Sequence, residues 1–129
     1  MKIKANISIG ELVDKITILE IKSIKIENKE KLKNVQHELK ILNRILKKLN
    51  ITEDIYKTKN ELYKINLEMW EIEDKIRIFE KENKFDSEFI ELARNVYKTN
   101  DNRSRVKKKL NLLLSSDLIE EKEYVSFEI

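Results

Sequence analysis

Residues 8–22 read Ser8-Ile9-Gly10-Glu11-Leu12-Val13-Asp14-Lys15-Ile16-Thr17-Ile18-Leu19-Glu20-Ile21-Lys22, and they have the pattern of a capped helix with apolar residues on more than one side. Ser8 and Glu11 have the spacing of a capping box, in which the Ser8 hydroxyl accepts from the Glu11 backbone N–H at the start of a helix. One face of this helix carries Ile9, Leu12, Val13, Ile16, Leu19 and Ile24. Ile18 and Ile21 lie on another side. We therefore predict a helix over residues 9–26 that is contacted from two directions, either centrally in a bundle or at an interface.

The helical period continues along the chain. Apolar stripes predict helices over residues 29–49, 51–82 and 87–114. Asn50 or Thr52 is the expected N-cap of the third helix, and Asp86 or Ser87 that of the fourth. Residues 99–102 are poor helix formers, so we expect a kink or a restart there. The chain has no proline and one glycine, which leaves long helices few interruptions.

Both ends of the chain alternate with the period of a strand instead. An isolated strand is unstable, so we expect residues 2–7 and 122–128 to pair with each other or across a dimer. The predicted fold class is all-α: one domain over residues 1–129, a bundle of about four long antiparallel helices with short terminal strands. A third helix of roughly 30 residues leaves apolar surface that few neighbours cover, so we also predict a homodimer.

Composition excludes several functional classes. The chain has no cysteine and a single histidine, His37, which excludes thiolate chemistry and any site with two imidazoles from one chain. It has 27 basic and 24 acidic residues, an overall balance that gives little support to nucleic-acid binding. No apolar segment reaches the roughly 20 residues that span a bilayer, and no signal peptide is evident. A soluble cytoplasmic protein is the default expectation.

Polar residues interrupt the apolar stripes, and charged groups are costly to bury unless they are paired. The candidate residues of this polar inter-helix layer are Glu20, Glu38, Trp70, Glu73, Arg77, Asn100, Arg103 and Lys107. One interpretation is an ion-pair network that fixes helix register. The other is a pocket between helices, where the basic groups hold an anion such as phosphate and Trp70 supplies a flat wall.

Two E-x-x-D pairs form a second pattern: Glu11 with Asp14, and Glu71 with Asp74. Carboxylates at i and i+3 face the same way on a helix and can coordinate Mg²⁺. The pattern is similar in kind to the helical carboxylate clusters of all-α nucleotide pyrophosphohydrolases. Such spacings are common in a chain with 24 acidic residues, so solvated helix surface is the competing interpretation.

The densest basic segment is residues 103–109, Arg-Ser-Arg-Val-Lys-Lys-Lys. Phosphate contacts require charge of this kind, but the segment has no interleaved aromatic residue, and a solvated helix face explains it equally well. His37 lies at the edge of the second helix, away from its stripe, as a surface histidine does.

The opening stretch, residues 8–22, resembles that of a family of small bacterial and phage proteins of unknown function. Further similarity lies at Asn34-Val35, Glu38-Leu39, residues 70–77, residues 97–103 and Glu120-Glu121-Lys122. The resemblance covers nearly the whole chain. It implies no activity and carries over no catalytic residue.

We therefore expect a non-catalytic binding or interaction module that uses the polar inter-helix layer. Its expected partner is a protein or an anionic small molecule, with no cofactor and no membrane association. The alternative is a Mg²⁺-dependent enzyme acting on a nucleotide or another phosphorylated substrate, with the metal on Glu11, Asp14, Glu71 or Asp74.

Overall fold

The structure is a computed structural model that describes residues 1–116 and 118–127. It contains four helices: α1 over Ile9–Lys25, α2 over Lys29–Lys47, α3 over Glu53–Lys81 and α4 over Ser87–Leu113. The predicted all-α bundle of four long helices is therefore confirmed. The fourth helix does not restart at residues 99–102, because α4 continues through them as one helix.

Each helix begins at a side chain that accepts a hydrogen bond from a backbone N–H of the first turn. The N-caps are Ser8, Asn28, Thr52 and Asp86. Such caps satisfy donors that have no partner within the helix. The Ser8 hydroxyl accepts from the Glu11 N–H at 3.1 Å, as the capping box predicts. The Glu11 carboxylate, however, lies 2.8 Å from the Lys107 ammonium, a partner on α4.

Helix α1 is the centre of the bundle. It packs against α2, α3 and α4, whereas α2 contacts α1 alone among the helices. Its side chains Val13 and Ile16 are fully buried and form the core with residues of the other three helices. These partners are Leu46, Ile55, Leu62, Val106 and Leu110. Contact from more than one direction, as the positions of Ile18 and Ile21 predict, is confirmed.

The prediction of terminal strands is wrong. Residues 1–7 are exposed and not in a strand, and no strand occurs in the described part of the C-terminal segment; Glu128 of the predicted second strand lies outside the described residues. Alternation alone gives no strand without a hydrogen-bonding neighbour. The C-terminal segment instead contacts α4 through side chains, with Glu120 on Lys107 and the Phe127 ring edge-on to Tyr97.

Helix α4 ends in a turn that returns the chain toward the bundle. Ser115 has a φ of 50°, and the Ser116 N–H donates to the Asn111 carbonyl at 2.8 Å. This left-handed residue with its back-pointing hydrogen bond is a Schellman motif. Helix α3 ends in the same way at Asn83, where the Lys84 N–H donates to the Phe79 carbonyl. No helix among the described residues is both long and apolar enough to cross a bilayer.

Candidate functional site

The face of α1 that meets α3 and α4 carries small and polar residues. Gly10, Asp14, Thr17 and Ile21 follow one another at spacings of four, three and four residues, so they lie on one side of the helix. All four are buried. The opening stretch of the sequence therefore places a carboxylate at the centre of the bundle.

Asp14 is the focus of a buried polar network. Its carboxylate accepts from Arg103 Nε at 2.9 Å and also from Arg103 Nη2, a bidentate pair between α1 and α4. It further accepts from Asn66 Nδ2 of α3 at 2.9 Å. The same Asn66 amide donates to the Thr17 hydroxyl at 2.8 Å, and that hydroxyl donates to the Asp14 carbonyl. One carboxylate thus joins three helices.

Arg103 is held on both sides. Its Nη1 donates to Asn100 Oδ1 at 3.3 Å, one turn earlier on α4. The hydrogen bond to Asp14 raises the pKa of the Arg103 guanidinium, while partial burial opposes that rise. Arg103 is therefore charged and pointed at Asp14 at any ordinary pH.

Lys107 continues the network toward the C-terminal segment. Its ammonium lies 2.8 Å from carboxylates of both Glu11 and Glu120, and 3.9 Å from Asp14. Burial favours the neutral amine, but the hydrogen bonds to Glu11 and Glu120 outweigh this effect, so the pKa of Lys107 is raised. The hydrogen bond from Lys107 in turn lowers the pKa of Glu120.

Gly10 permits the close approach of α1 and α4 on which these pairs depend. Its N–H donates to Asn111 Oδ1 at 2.7 Å, which satisfies a free donor of the first turn of α1. A Cβ at this position would lie 2.5 Å from the Lys107 carbonyl oxygen. No other residue fits without movement of the backbone.

A cleft of about 340 Å³ opens beside Arg103, between α1 and α3. Its walls are mainly apolar and come from Ile18, Met69 and Trp70, all half-buried, above the buried Ile21. Charged side chains also reach it, namely Glu73, Asp74, Arg77 and Arg103.

A second cleft, of about 580 Å³, shares Met69, Glu73 and Arg103 with the first. Its far wall is the C-terminal segment, with Tyr124, Val125 and Phe127. The two clefts therefore meet at the outer edge of the Asp14–Arg103 pair.

The predicted polar layer divides into separate parts. The cleft brings together Trp70, Glu73, Arg77 and Arg103, and Asn100 joins them through Arg103. Lys107 lies deeper, between Glu11 and Glu120.

The remaining two members lie elsewhere. Glu20 faces Lys59 of α3 at 3.1 Å, and Glu38 forms an exposed pair with Lys15 at 3.5 Å. These two carboxylates secure α1 to its neighbours away from the cleft.

The four carboxylates of the E-x-x-D pairs do not converge. Glu11 is held by Lys107 and Asp14 by Arg103 and Asn66, while Asp74 lines the cleft and Glu71 is exposed. Among residues 1–116 and 118–127, no three His, Cys, Asp or Glu side chains are grouped as a metal site requires. The geometry gives the magnesium hypothesis no support.

Sequence reasoning missed the central position of Asp14 and the roles of Asn111 and Glu120. The spacing of Gly10, Asp14, Thr17 and Ile21 could have revealed it, since a lone glycine and a threonine in register with an isoleucine indicate a tightly packed face.

The basic segment 103–109 is largely neutralised within the fold. Besides Arg103 and Lys107, Lys108 pairs with Glu121 at 3.1 Å and Lys109 with Glu61 at 3.6 Å. Arg105, the remaining cation of the segment, is exposed and donates to the Asn102 amide oxygen.

Comparison with known proteins bears out the resemblance seen in the sequence. A family model described as a family of unknown function, DUF6165, matches residues 1–127. No curated protein and no solved structure matches the chain. The chain therefore belongs to the family of unknown function DUF6165.

Proposed function

We propose that this protein is a non-catalytic binding module that takes apolar side chains of a protein partner into the cleft between α1 and α3. The supporting observation is the half-buried apolar wall formed by Ile18, Met69 and Trp70. Large aromatic and sulfur-containing side chains in a partly open cleft are typical anchors of protein interfaces.

The charges around the cleft favour a protein over an anionic small molecule. Arg103 already donates to both oxygens of Asp14, and Arg77 lies 3.2 Å from the Glu73 carboxylate. Asp74 adds a further negative charge to the lining. A phosphate would have to displace these carboxylates, whereas apolar side chains would leave every ion pair in place.

The observed pairs also support the structural interpretation of the polar layer. Two cations, Arg103 and Lys107, meet three carboxylates, those of Glu11, Asp14 and Glu120. Lys122, which lies 3.8 Å from Glu120, adds a third cation. In this proposal the network fixes the positions of α1, α3 and α4, and the neighbouring cleft performs the binding.

We further propose that the protein is a homodimer. Helix α1 has 17 residues, whereas α3 has 29 and α4 has 27, so the α3–α4 hairpin extends beyond α1. Ile78, Phe85 and Ile90 lie exposed around its tip. Light scattering should give twice the chain mass, and Ile90→Glu should reduce it to the monomer while Ile24→Glu, an exposed control on α1, should not. A monomeric wild-type protein would overturn this part.

The cleft itself can be tested by site-specific photo-crosslinking in cells. A photoreactive residue at Met69 should give one discrete protein adduct, and the same residue at the exposed Ile24 should not. Ile18→Arg, which fills the cleft with a charged side chain, should abolish the Met69 adduct. Equal labelling from both positions would overturn the proposal.

Binding measurements on the purified protein distinguish an anionic small molecule from a protein partner. Trp70 is the sole tryptophan, so intrinsic fluorescence reports on the cleft directly. A ligand specific to the folded state raises the melting temperature. Stabilisation by a sugar phosphate or nucleotide, with a shift of Trp70 emission that Arg77→Gln removes, would favour the anion over the protein partner.

A further inference from the structure

Helix α2 concentrates positive charge that the overall composition conceals. Between Lys29 and Lys47 it has six basic and two acidic residues. Five of the six basic residues lie within a sector of roughly 60° around the helix. These five, which we call the α2 stripe, are Lys29, Lys33, Lys40, Arg44 and Lys47. All five are exposed.

The α2 stripe has no counter-charge of its own. None of its five cations forms an ion pair with a carboxylate in the described residues; Glu38, on another face of α2, pairs with Lys15. This contrasts with the basic segment of α4, where Arg103, Lys107, Lys108 and Lys109 all have acidic partners. Four of the five cations in residues 103–109 thus face carboxylates, whereas the five cations of the α2 stripe do not in the part of the chain that the structure describes.

The surface along the stripe is shallow. A depression of about 380 Å³ there is lined by the half-buried Leu39 and by five polar or basic residues, Gln36, Lys40, Asn43, Arg44 and Lys47. Helix α2 has no Phe, Tyr or Trp, and its single ring is the exposed imidazole of His37, which lies about 20° from Arg44 around the helix. The stripe and its polar neighbours therefore present hydrogen-bond donors, namely ammonium, guanidinium and amide groups, in a row along the helix axis.

We propose that the α2 stripe binds the phosphate backbone of double-stranded nucleic acid without reading its sequence. The stripe spans the 19 residues from Lys29 to Lys47, or roughly 27 Å along the helix axis. That length corresponds to about eight base-pair steps of a duplex, each carrying two phosphates. Side chains that neutralise phosphates release counterions, and this release supplies most of the free energy of sequence-independent binding.

An anionic membrane fits the same charges less well. An interfacial helix inserts apolar side chains beside its basic residues. Three of the four leucines of α2 are committed to the bundle: Leu46 belongs to the core, and Leu39 and Leu42 pack against it. Ile45 is exposed, but it lies about 100° from its neighbour Arg44 around the helix. The stripe thus has charge without an adjacent surface for insertion.

The test is fluorescence anisotropy of the full chain with a labelled duplex of about 20 base pairs across a salt series that begins near 50 mM. If four or five phosphates are contacted, the plot of log K against log salt should have a slope of about −4. Lys40→Gln with Arg44→Gln should weaken binding at low salt by at least about tenfold and reduce the slope by about two. Duplexes of different sequence should bind equally.

The matched control is Lys108→Gln with Lys109→Gln, which removes the same charge from cations that already have carboxylate partners. It should change the slope little. Both double variants alter exposed side chains, and circular dichroism checks that each remains folded.

Three outcomes would overturn the proposal. One is the absence of duplex binding near 50 mM salt. Another is equal loss in both double variants, which would show an effect of net charge alone. The third is that the protein binds vesicles rich in anionic lipid but does not bind the duplex, and that Lys40→Gln with Arg44→Gln weakens the binding to vesicles.

Discussion

Arg103 donates through two nitrogens to the carboxylate of Asp14, a residue 89 positions earlier in the chain. Only 2% of the Asp14 side chain is exposed, against 26% for Arg103, so the carboxylate depends on this partner and on Asn66 for nearly all of its solvation. The pair holds the first helix against the last, and the cleft opens at its outer edge.

Removal of this carboxylate should destabilise the fold strongly. Asp14→Asn leaves Arg103 without its bidentate acceptor, and loss of one partner of a buried pair costs about 3 kcal/mol or more in the free energy of unfolding. Urea denaturation measures the change. Glu38→Gln is the control, because it breaks an exposed pair with Lys15 and should cost less than about 1 kcal/mol. Similar losses in the two variants would contradict the central position of Asp14.

Gly10→Ala should also destabilise the protein, although alanine favours a helix by about 1 kcal/mol over glycine. The added Cβ would lie 2.5 Å from the Lys107 carbonyl oxygen and 2.9 Å from Asn111 Oδ1. Helices α1 and α4 would have to separate, which would weaken the ion pairs between them. A higher urea midpoint for Gly10→Ala would show that the helices do not approach so closely.

Acid should weaken the attachment of the C-terminal segment. Lys107 lowers the pKa of Glu120 in the folded protein. A carboxyl group with a lowered folded pKa stabilises the fold above its unfolded pKa, and this contribution is lost as the pH falls through the folded pKa. Stability should therefore decrease below about pH 4.5, the ordinary value for this group.

Urea midpoints for wild type and Glu120→Gln, measured between about pH 6 and about pH 3, isolate this effect. The urea midpoints of the two proteins should differ most at the highest pH of this range and become equal at the lowest pH. Glu123→Gln, a change in the same segment with no described ion pair, should follow the wild type. Parallel curves for wild type and Glu120→Gln would contradict the prediction.

Ser115→Gly should stabilise the end of α4. Ser115 has a φ of 50°, a left-handed conformation that glycine adopts without the Cβ cost. We expect a gain of about 1 kcal/mol, seen as a higher melting temperature. Ser116→Gly, one residue later and outside that conformation, should give no gain. Equal effects at the two positions would indicate that the turn differs from the one described.

The helices could be predicted from the sequence because their information is local. Stripes such as Leu12, Val13 and Ile16 repeat with the helical period, and the Ser8 cap is encoded within three residues. The terminal strands failed for the complementary reason: alternation within residues 2–7 and 122–128 is a local pattern, and it does not determine whether two segments so far apart in the chain come together.

The site was predicted only in part, because its organisation depends on which helix faces touch. Trp70, Glu73 and Arg77 share a face of α3 and do meet Arg103 at one cleft. The sequence pattern places Asp14 on a polar helix face. Its buried environment could not be seen there, because it is created by Asn66 and Arg103, which lie 52 and 89 residues away in the chain. The α2 stripe was missed because the total of 27 basic and 24 acidic residues conceals their unequal placement.

The hydrogen bond between the Gly10 N–H and Asn111 Oδ1 spans 101 positions. On a ribosome that adds about 5 to 20 residues per second, α1 emerges roughly 5 to 20 seconds before its partner on α4. Throughout that interval Asp14 lacks its cation Arg103, and the core around α1 lacks Val106 and Leu110 of α4. The nascent chain is thus most vulnerable to aggregation and to proteases before α4 emerges, and a stalled or truncated product that lacks α4 should not accumulate as a folded protein.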